Sequence, residues 1–203
     1  MRRKTTFYFI FFSILVIGFY AALVIFIPEF GKSKLPPISY VQPFSFINQD
    51  GDLYTEKNVA GKVYVVNYFF TTCTSICPII NTQLKRVYEH FKDKPGFLIL
   101  SHTSDPQHDS PAVLKRYAEK WGVSTSKWIF LTGSKDSLYR QARFSYLIDD
   151  PKNNVRNPED DFLHTQFVAL VDGRGRVVKI YDGRKKDEVD KLIKDAELLI
   201  KDD

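Results

Sequence analysis

Methionine is almost absent from these 203 residues. Met1 is the only one, beside two cysteines and four histidines. Any metal site held by thioether sulfur, from an axial Met to a Met-rich trap, is thereby excluded. Two thiolates are also too few for a closed structural zinc site, which takes four ligands. Charge of one sign is scarce once the N-terminus is set aside. Residues 1–34 hold Arg2, Arg3, Lys4, Lys32 and Lys34 against Glu29, and the remainder carries 24 basic and 23 acidic residues. A near-neutral body does not suit nucleic acid, so the overall +5 belongs to the N-terminal segment. Internal repeats are lacking too. The chain is nevertheless 44% hydrophobic and 15% aromatic, enough to build a core and unlike a disordered sequence.

One apolar run stands out. Residues 7–27 contain no charge, and at 1.5 Å per helical residue they span roughly 30 Å, the thickness of a bilayer's hydrocarbon core. A cleaved signal would have a shorter apolar region followed by small residues, whereas IFIPEFGKSKLPP offers no such site and no cysteine for lipidation. The reading is a single-pass anchor in a bacterial cytoplasmic membrane. Residues 1–6, with their three basic side chains, stay inside and everything after Pro28 faces the periplasm or cell exterior. A proline-rich tether over 28–43 and one domain over 44–203 complete the layout.

Within that domain, Phe44–Ile47 and Leu53–Tyr54 flank the turn Asn48-Gln49-Asp50-Gly51 as a hairpin. Val63–Phe70 is a continuous apolar run, suited to a strand buried on both faces. Pro78 then marks the first position of a helix running to about Lys92. Phe97–Leu100 and Trp128–Leu131 are expected strands, with helices beginning at Ser110-Pro111 and about Lys135. A polar loop spans 149–161. A second hairpin (Phe167–Val171, Val177–Tyr181) and an amphipathic helix, Lys186–Lys201, close the chain. The pattern predicts an α/β sandwich around a mixed sheet, with ligands gathering beyond the carboxyl ends of its parallel strands. TTCTSIC and SHTSDP both fall at that edge.

Cys73 and Cys77 share one five-residue stretch at a strand-to-helix turn. Backbone N–H groups at a helix start favour thiolate over thiol. An i, i+4 spacing brings both sulfurs to one face if the turn is helical. Such a pair suits soft-metal binding, with copper favoured over other metals by two thiolates and one imidazole. It also suits a disulfide in an oxidising compartment. The imidazole must come from His90, His102, His108 or His164. His90 lies about three turns down the first helix and reads as surface. His108 reads as a solvated loop residue, and His164 by itself as an ordinary loop histidine.

The motifs GKVYVVNYFFTTCTSICP, SHTSDPQHDSPAVLKRY, LTG at Leu131–Gly133 and DFLHTQFVALVDGRG resemble those of the Sco (SenC) family of copper-binding assembly factors. The resemblance runs from the apolar segment to about Lys201. It implies a thioredoxin-like fold and a copper site of Cys73, Cys77 and His164. It further implies delivery of copper, Cu(I) or Cu(II), to the binuclear centre in the copper-site subunit of cytochrome c oxidase, with a separate copper-donating chaperone as a second partner. FFTTC stands where FGFTxC is usual, and Ser110 replaces a common Thr. Two other functions use the same residues: a thiol–disulfide oxidoreductase cycling Cys73–Cys77 to reduce the oxidase subunit's cysteines, and a peroxiredoxin-type peroxidase, which does not require Cys77. His102 has no counterpart in the family pattern. It is read either as a half-buried histidine bonded to backbone, or as a group that holds Asp105 or supports a neighbouring thiolate.

Overall fold

The computed structural model describes residues 2–26, 36–150, 163 and 165–202. Helix α1 covers Arg2–Phe26, and within it Thr5–Leu23 is long and apolar enough to cross a membrane, by length and composition. A separate folded unit begins at Pro36.

That unit is built on one eight-stranded sheet. Its strands are β1 (Ser39–Tyr40), β2 (Ser45–Asn48), β3 (Leu53–Thr55), β4 (Val63–Phe69), β5 (Phe97–Thr103), β6 (Trp128–Thr132), β7 (Phe167–Val171) and β8 (Arg176–Asp182), in spatial order β1-β8-β7-β4-β5-β6-β2-β3. β4, β5 and β6 run parallel at the centre, and the other pairings are antiparallel. Every residue of β4 and β5 is buried, as the continuous apolar run of β4 requires of a strand covered on both sides.

Side-chain alternation assigns the two faces. Tyr64, Val66 and Tyr68 of β4, with Leu98 and Leu100 of β5, enter a core shared with Leu138, Tyr139, Ala142 and Tyr146. Those last residues belong to α4 (Lys135–Arg140), to the π turn Gln141–Ser145 that extends it, and to the loop beyond. Val63, Val65, Asn67 and Phe69 point the other way, toward α2 (Ile76–Phe91), α3 (Pro111–Trp121) and α5 (Lys186–Asp202). On this side the Phe91 and Phe97 rings stack at 4.0 Å. A chain of buried polar groups runs through this side: the Trp128 indole N–H donates to Ser101 Oγ at 2.7 Å, and Ser101 Oγ–H donates to Asn67 Oδ1 at 2.5 Å, while Asn67 Nδ2 has no partner among the described residues.

Most expected elements lie where the pattern puts them, and four boundaries differ. The segment read as a tether supplies β1, whose flanking amides bond to β8 (Ile38 N–H to Val177 O, 2.7 Å; Val41 N–H to Gly175 O, 2.8 Å). Pro78 occupies the third position of α2, because Ser75 is the residue before its first turn. A missing N–H costs nothing there, since the first four amides of a helix have no internal partner. β5 runs three residues past Leu100, and α4 passes into a π turn. The tether before Pro36, Ile27 of the expected anchor and most of the 149–161 loop lie outside the described residues.

Candidate metal and thiol site

β4 ends at Phe69 and hands the chain to a tight turn. The Cys73 N–H donates to Phe70 O at 3.2 Å, and α2 starts three residues later. Cys77 is then the second residue of the helix, with its own N–H aimed at Cys73 Sγ, 3.4 Å away. The Ser75 hydroxyl lies 3.7 Å from the same sulfur. Both thiols are free and buried. Ile76, Pro78 and Ile79 form a partly exposed apolar rim beside them.

The two sulfurs differ in acidity. Burial alone would raise the Cys73 thiol. Hydrogen bonds from the Cys77 thiol, from the Cys77 and Ser75 amides and from the Ser75 hydroxyl outweigh it and hold the pKa below the ordinary value. For Cys77, burial and the thiol contact with Cys73 act together and push it up to about 12. The pair therefore sets a more acidic thiol beside a less acidic one, and a soft cation would gain both sulfurs by displacing their protons. Tyr117 of α3 shares this neighbourhood. Its ring stacks on Phe69 at 5.1 Å and its hydroxyl accepts from Asn81 Nδ2 at 2.7 Å.

The histidines divide sharply. His90 lies on the outer surface of α2, its Nε2 2.7 Å from Glu197 Oε1. His108 is exposed in the loop after β5, with Nδ1 at 2.8 and 2.9 Å from the Asp105 carboxylate, whose contact raises the imidazole pKa. Asp105 is thus the partner of His108, where the sequence suggested His102. His102 lies inside β5 opposite Tyr68 of β4, and alternation turns it to the face away from Phe69, Tyr117 and α2. Its ring stacks on Tyr68 (5.0 Å, 13°) and meets Phe46 edge-on at 5.3 Å, with Tyr146 at 5.5 Å. Fully buried and with neither ring nitrogen hydrogen-bonded, it has a pKa pushed down to about 3. The neighbouring backbone of Leu100 and Asn67 opposes that shift only in part.

His164 lies outside the described residues, but both its neighbours are anchored. Leu163 is buried and its N–H donates to Tyr139 Oη at 3.0 Å. The Tyr139 hydroxyl donates to Ser104 O at 2.9 Å, and Ser104 N–H to Phe69 O at 2.8 Å. Thr165 is buried, with its hydroxyl on Ile148 O at 2.7 Å. The residues on either side of position 164 are therefore both held by the folded domain. Among the described residues no three His, Cys, Asp or Glu side chains converge as a metal cluster. A metal bound by Cys73 and Cys77 would have to draw its further ligand from elsewhere, as the assignment to His164 requires. Tyr139 and Ser104 were not legible as site residues, because nothing local marks a partner that distant.

A mixed sheet with parallel central strands and flanking helices, in which a two-cysteine turn follows one parallel strand and opens a helix, is a thioredoxin-like architecture. The SCO1/SenC family profile matches residues 33–200, and the chain belongs to that family. It is 31% identical to the SCO1 protein homolog of Bacillus subtilis over 170 residues, covering 82% of this chain and 86% of that protein. It is 33% identical to the mitochondrial SCO1 protein of Saccharomyces cerevisiae over 158 residues, 74% of this chain and 52% of the yeast protein. Among solved structures, BsSco, described as having a disulfide switch and as a member of the Sco family of cytochrome c oxidase assembly proteins, superimposes with a TM-score of 0.67 at 31% identity, covering 81% of this chain and 95% of that one. Yeast Sco1 with copper bound gives 0.58 at 31% identity, covering 78% and 89%.

Proposed function

We propose that this protein binds copper through Cys73, Cys77 and His164 and delivers it during cytochrome c oxidase assembly. The observation that carries the reading is the pairing of two free, buried thiols across the first turn of α2 in a chain of this family. Copper-bound relatives support the metal, and the oxidase-assembly relatives support the destination. Two thiolates and an imidazole form a set soft enough for Cu(I) and rich enough for Cu(II). The apolar helix is the membrane anchor, and the basic residues ahead of it place the copper domain outside the cytoplasm. The acceptor is the copper-site subunit of the oxidase.

His164→Ala is the test of the third ligand. Cu(I) tolerates coordination by two thiolates, whereas Cu(II) prefers a fuller set with nitrogen. The variant is expected to lose at least tenfold in Cu(II) affinity while Cu(I) binding changes little, and oxidase activity in cells should fall at unchanged protein level. Equal retention of both oxidation states would remove His164 from the site.

The acidity difference between the two thiols favours a second use of the same pair. The Cys73 thiolate attacks a disulfide in the acceptor, forming a mixed disulfide and releasing one acceptor thiolate. Cys77, losing its proton, then attacks Cys73 Sγ and frees the other. The acceptor gains two electrons and two protons, one from Cys77 and one from solvent, and Cys73–Cys77 leaves as the disulfide. Reducing the acceptor's cysteines and loading them with copper are successive services to one centre.

A further inference from the structure

Asp109 is an enclosed carboxylate, only 1% exposed, and among the described residues it forms no ion pair. Three donors hold it. Its Oδ2 accepts from the Thr71 N–H at 3.1 Å and from the Thr103 hydroxyl at 2.5 Å, and its Oδ1 accepts from the Thr71 hydroxyl. The loop behind it is pinned as well. Asp109 N–H donates to Asp105 O at 2.9 Å, and Asp105 N–H donates to Thr103 Oγ1 at 2.9 Å. Burying a carboxylate without a cation is costly, and an apolar contact would join two loops without that cost. The carboxylate does what an apolar group cannot: it takes both the amide and the hydroxyl of Thr71 in fixed directions. Thr71 opens the turn that carries Cys73, whose amide bonds to Phe70 O immediately before it.

We propose that Asp109 is a positioning residue for the thiol pair: by clamping Thr71 to the loop after β5, it sets the turn that holds Cys73 and Cys77 together for chelating a soft cation or closing a disulfide. The proposal deepens the reading of Cys73 and Cys77 as the working pair and rests on it.

The test compares the full chain in detergent micelles with Asp109→Ala, Asp109→Asn and Thr71→Val, using two equilibria. The first is disulfide closure against glutathione. One glutathione disulfide takes two electrons and two protons from the thiol pair, giving two glutathione thiols and the Cys73–Cys77 bond. The second is Cu(I) affinity, measured by competition with a chromogenic chelator. Val66→Ala, in the core on the opposite sheet face, matches the loss of stability without touching the clamp. Asp109→Ala is expected to lower the closure constant about tenfold, which raises the potential by about 30 mV. Its Cu(I) affinity should fall at least tenfold. Thr71→Val keeps the amide bond and loses the hydroxyl, so it should move both quantities about threefold in the same direction, with Asp109→Asn in between. Should Asp109→Ala fail to fold, the latter two variants carry the comparison. Both constants staying within twofold of the unmodified chain, or shifting equally in Val66→Ala, would overturn the proposal. If the unmodified chain binds no copper yet its disulfide equilibrium still depends on Asp109, copper delivery fails and the positioning role stands.

Discussion

His102 shows how one strand position decides what a titratable side chain can do. Polar neighbours on either side, Ser101 and Thr103, make the segment look like the start of a loop. Parallel pairing with β4 instead continues to Phe69–Thr103, and residue 102 enters an aromatic box. An imidazole with its folded pKa near 3 and its unfolded value near 6.5 stays neutral in the native state while the denatured chain takes up a proton. Stability contributed by this residue is therefore complete above pH 6.5 and is lost as the pH falls toward 3, at up to about 1.4 kcal/mol per pH unit. His102→Phe should flatten the stability profile between pH 6.5 and 4.5 in denaturant titrations, relative to the unmodified protein. An unchanged slope would mean that the ring is already hydrated or paired in solution. The same geometry argues against a direct part for His102 at the thiols, since its ring stands on the opposite face of the sheet from Phe69.

At the scale of elements, the site depends on where β4 and β5 stop. Each ends in a turn that bonds to the other's: Thr71 reaches Asp109, and Ser104 reaches Phe69. Ser104 O also accepts from Tyr139 of α4, whose hydroxyl receives the Leu163 amide beside His164. Tyr139→Phe removes the hydroxyl alone and leaves the Leu163 N–H and the Ser104 carbonyl without a protein partner. A loss of about 1–3 kcal/mol in stability is expected. Under the copper reading, Cu(II) affinity should drop more than Cu(I) affinity, because only the His164 side of the site is loosened. A purely structural Tyr139 would lower the melting temperature and leave the ratio of the two affinities unchanged. The strands, the cysteine turn and the closing hairpin were legible in sequence, because continuous apolar runs, Pro78 and the Asp172-Gly173 turn are local signals. β1 was not, being two residues set among prolines and held by β8 from the far end of the chain. The Asp109–Thr71 and Tyr139–Leu163 bonds span 38 and 24 residues, and no local pattern encodes them. The register of β5 past Leu100 was hidden for a related reason: buried polar residues look exposed until their partners, Asn67 and Trp128, are in place.

For the whole molecule, the charge distribution and the thiol site tell one story under the proposed function. A cationic N-terminus and an apolar helix long enough to cross a membrane precede a nearly neutral domain that carries two cysteines and no methionine. Such a domain has few competing soft donors, so copper should go to a single place. The most direct measurement is metal analysis of the reduced full chain in micelles after copper loading and desalting, with X-ray absorption of the bound species. About one copper per chain is predicted, with sulfur and nitrogen in its coordination shell, and Cys77→Ala should lose tight binding because one thiolate and one imidazole are too few ligands. Full copper affinity in Cys77→Ala, or a shell without sulfur, would contradict the account.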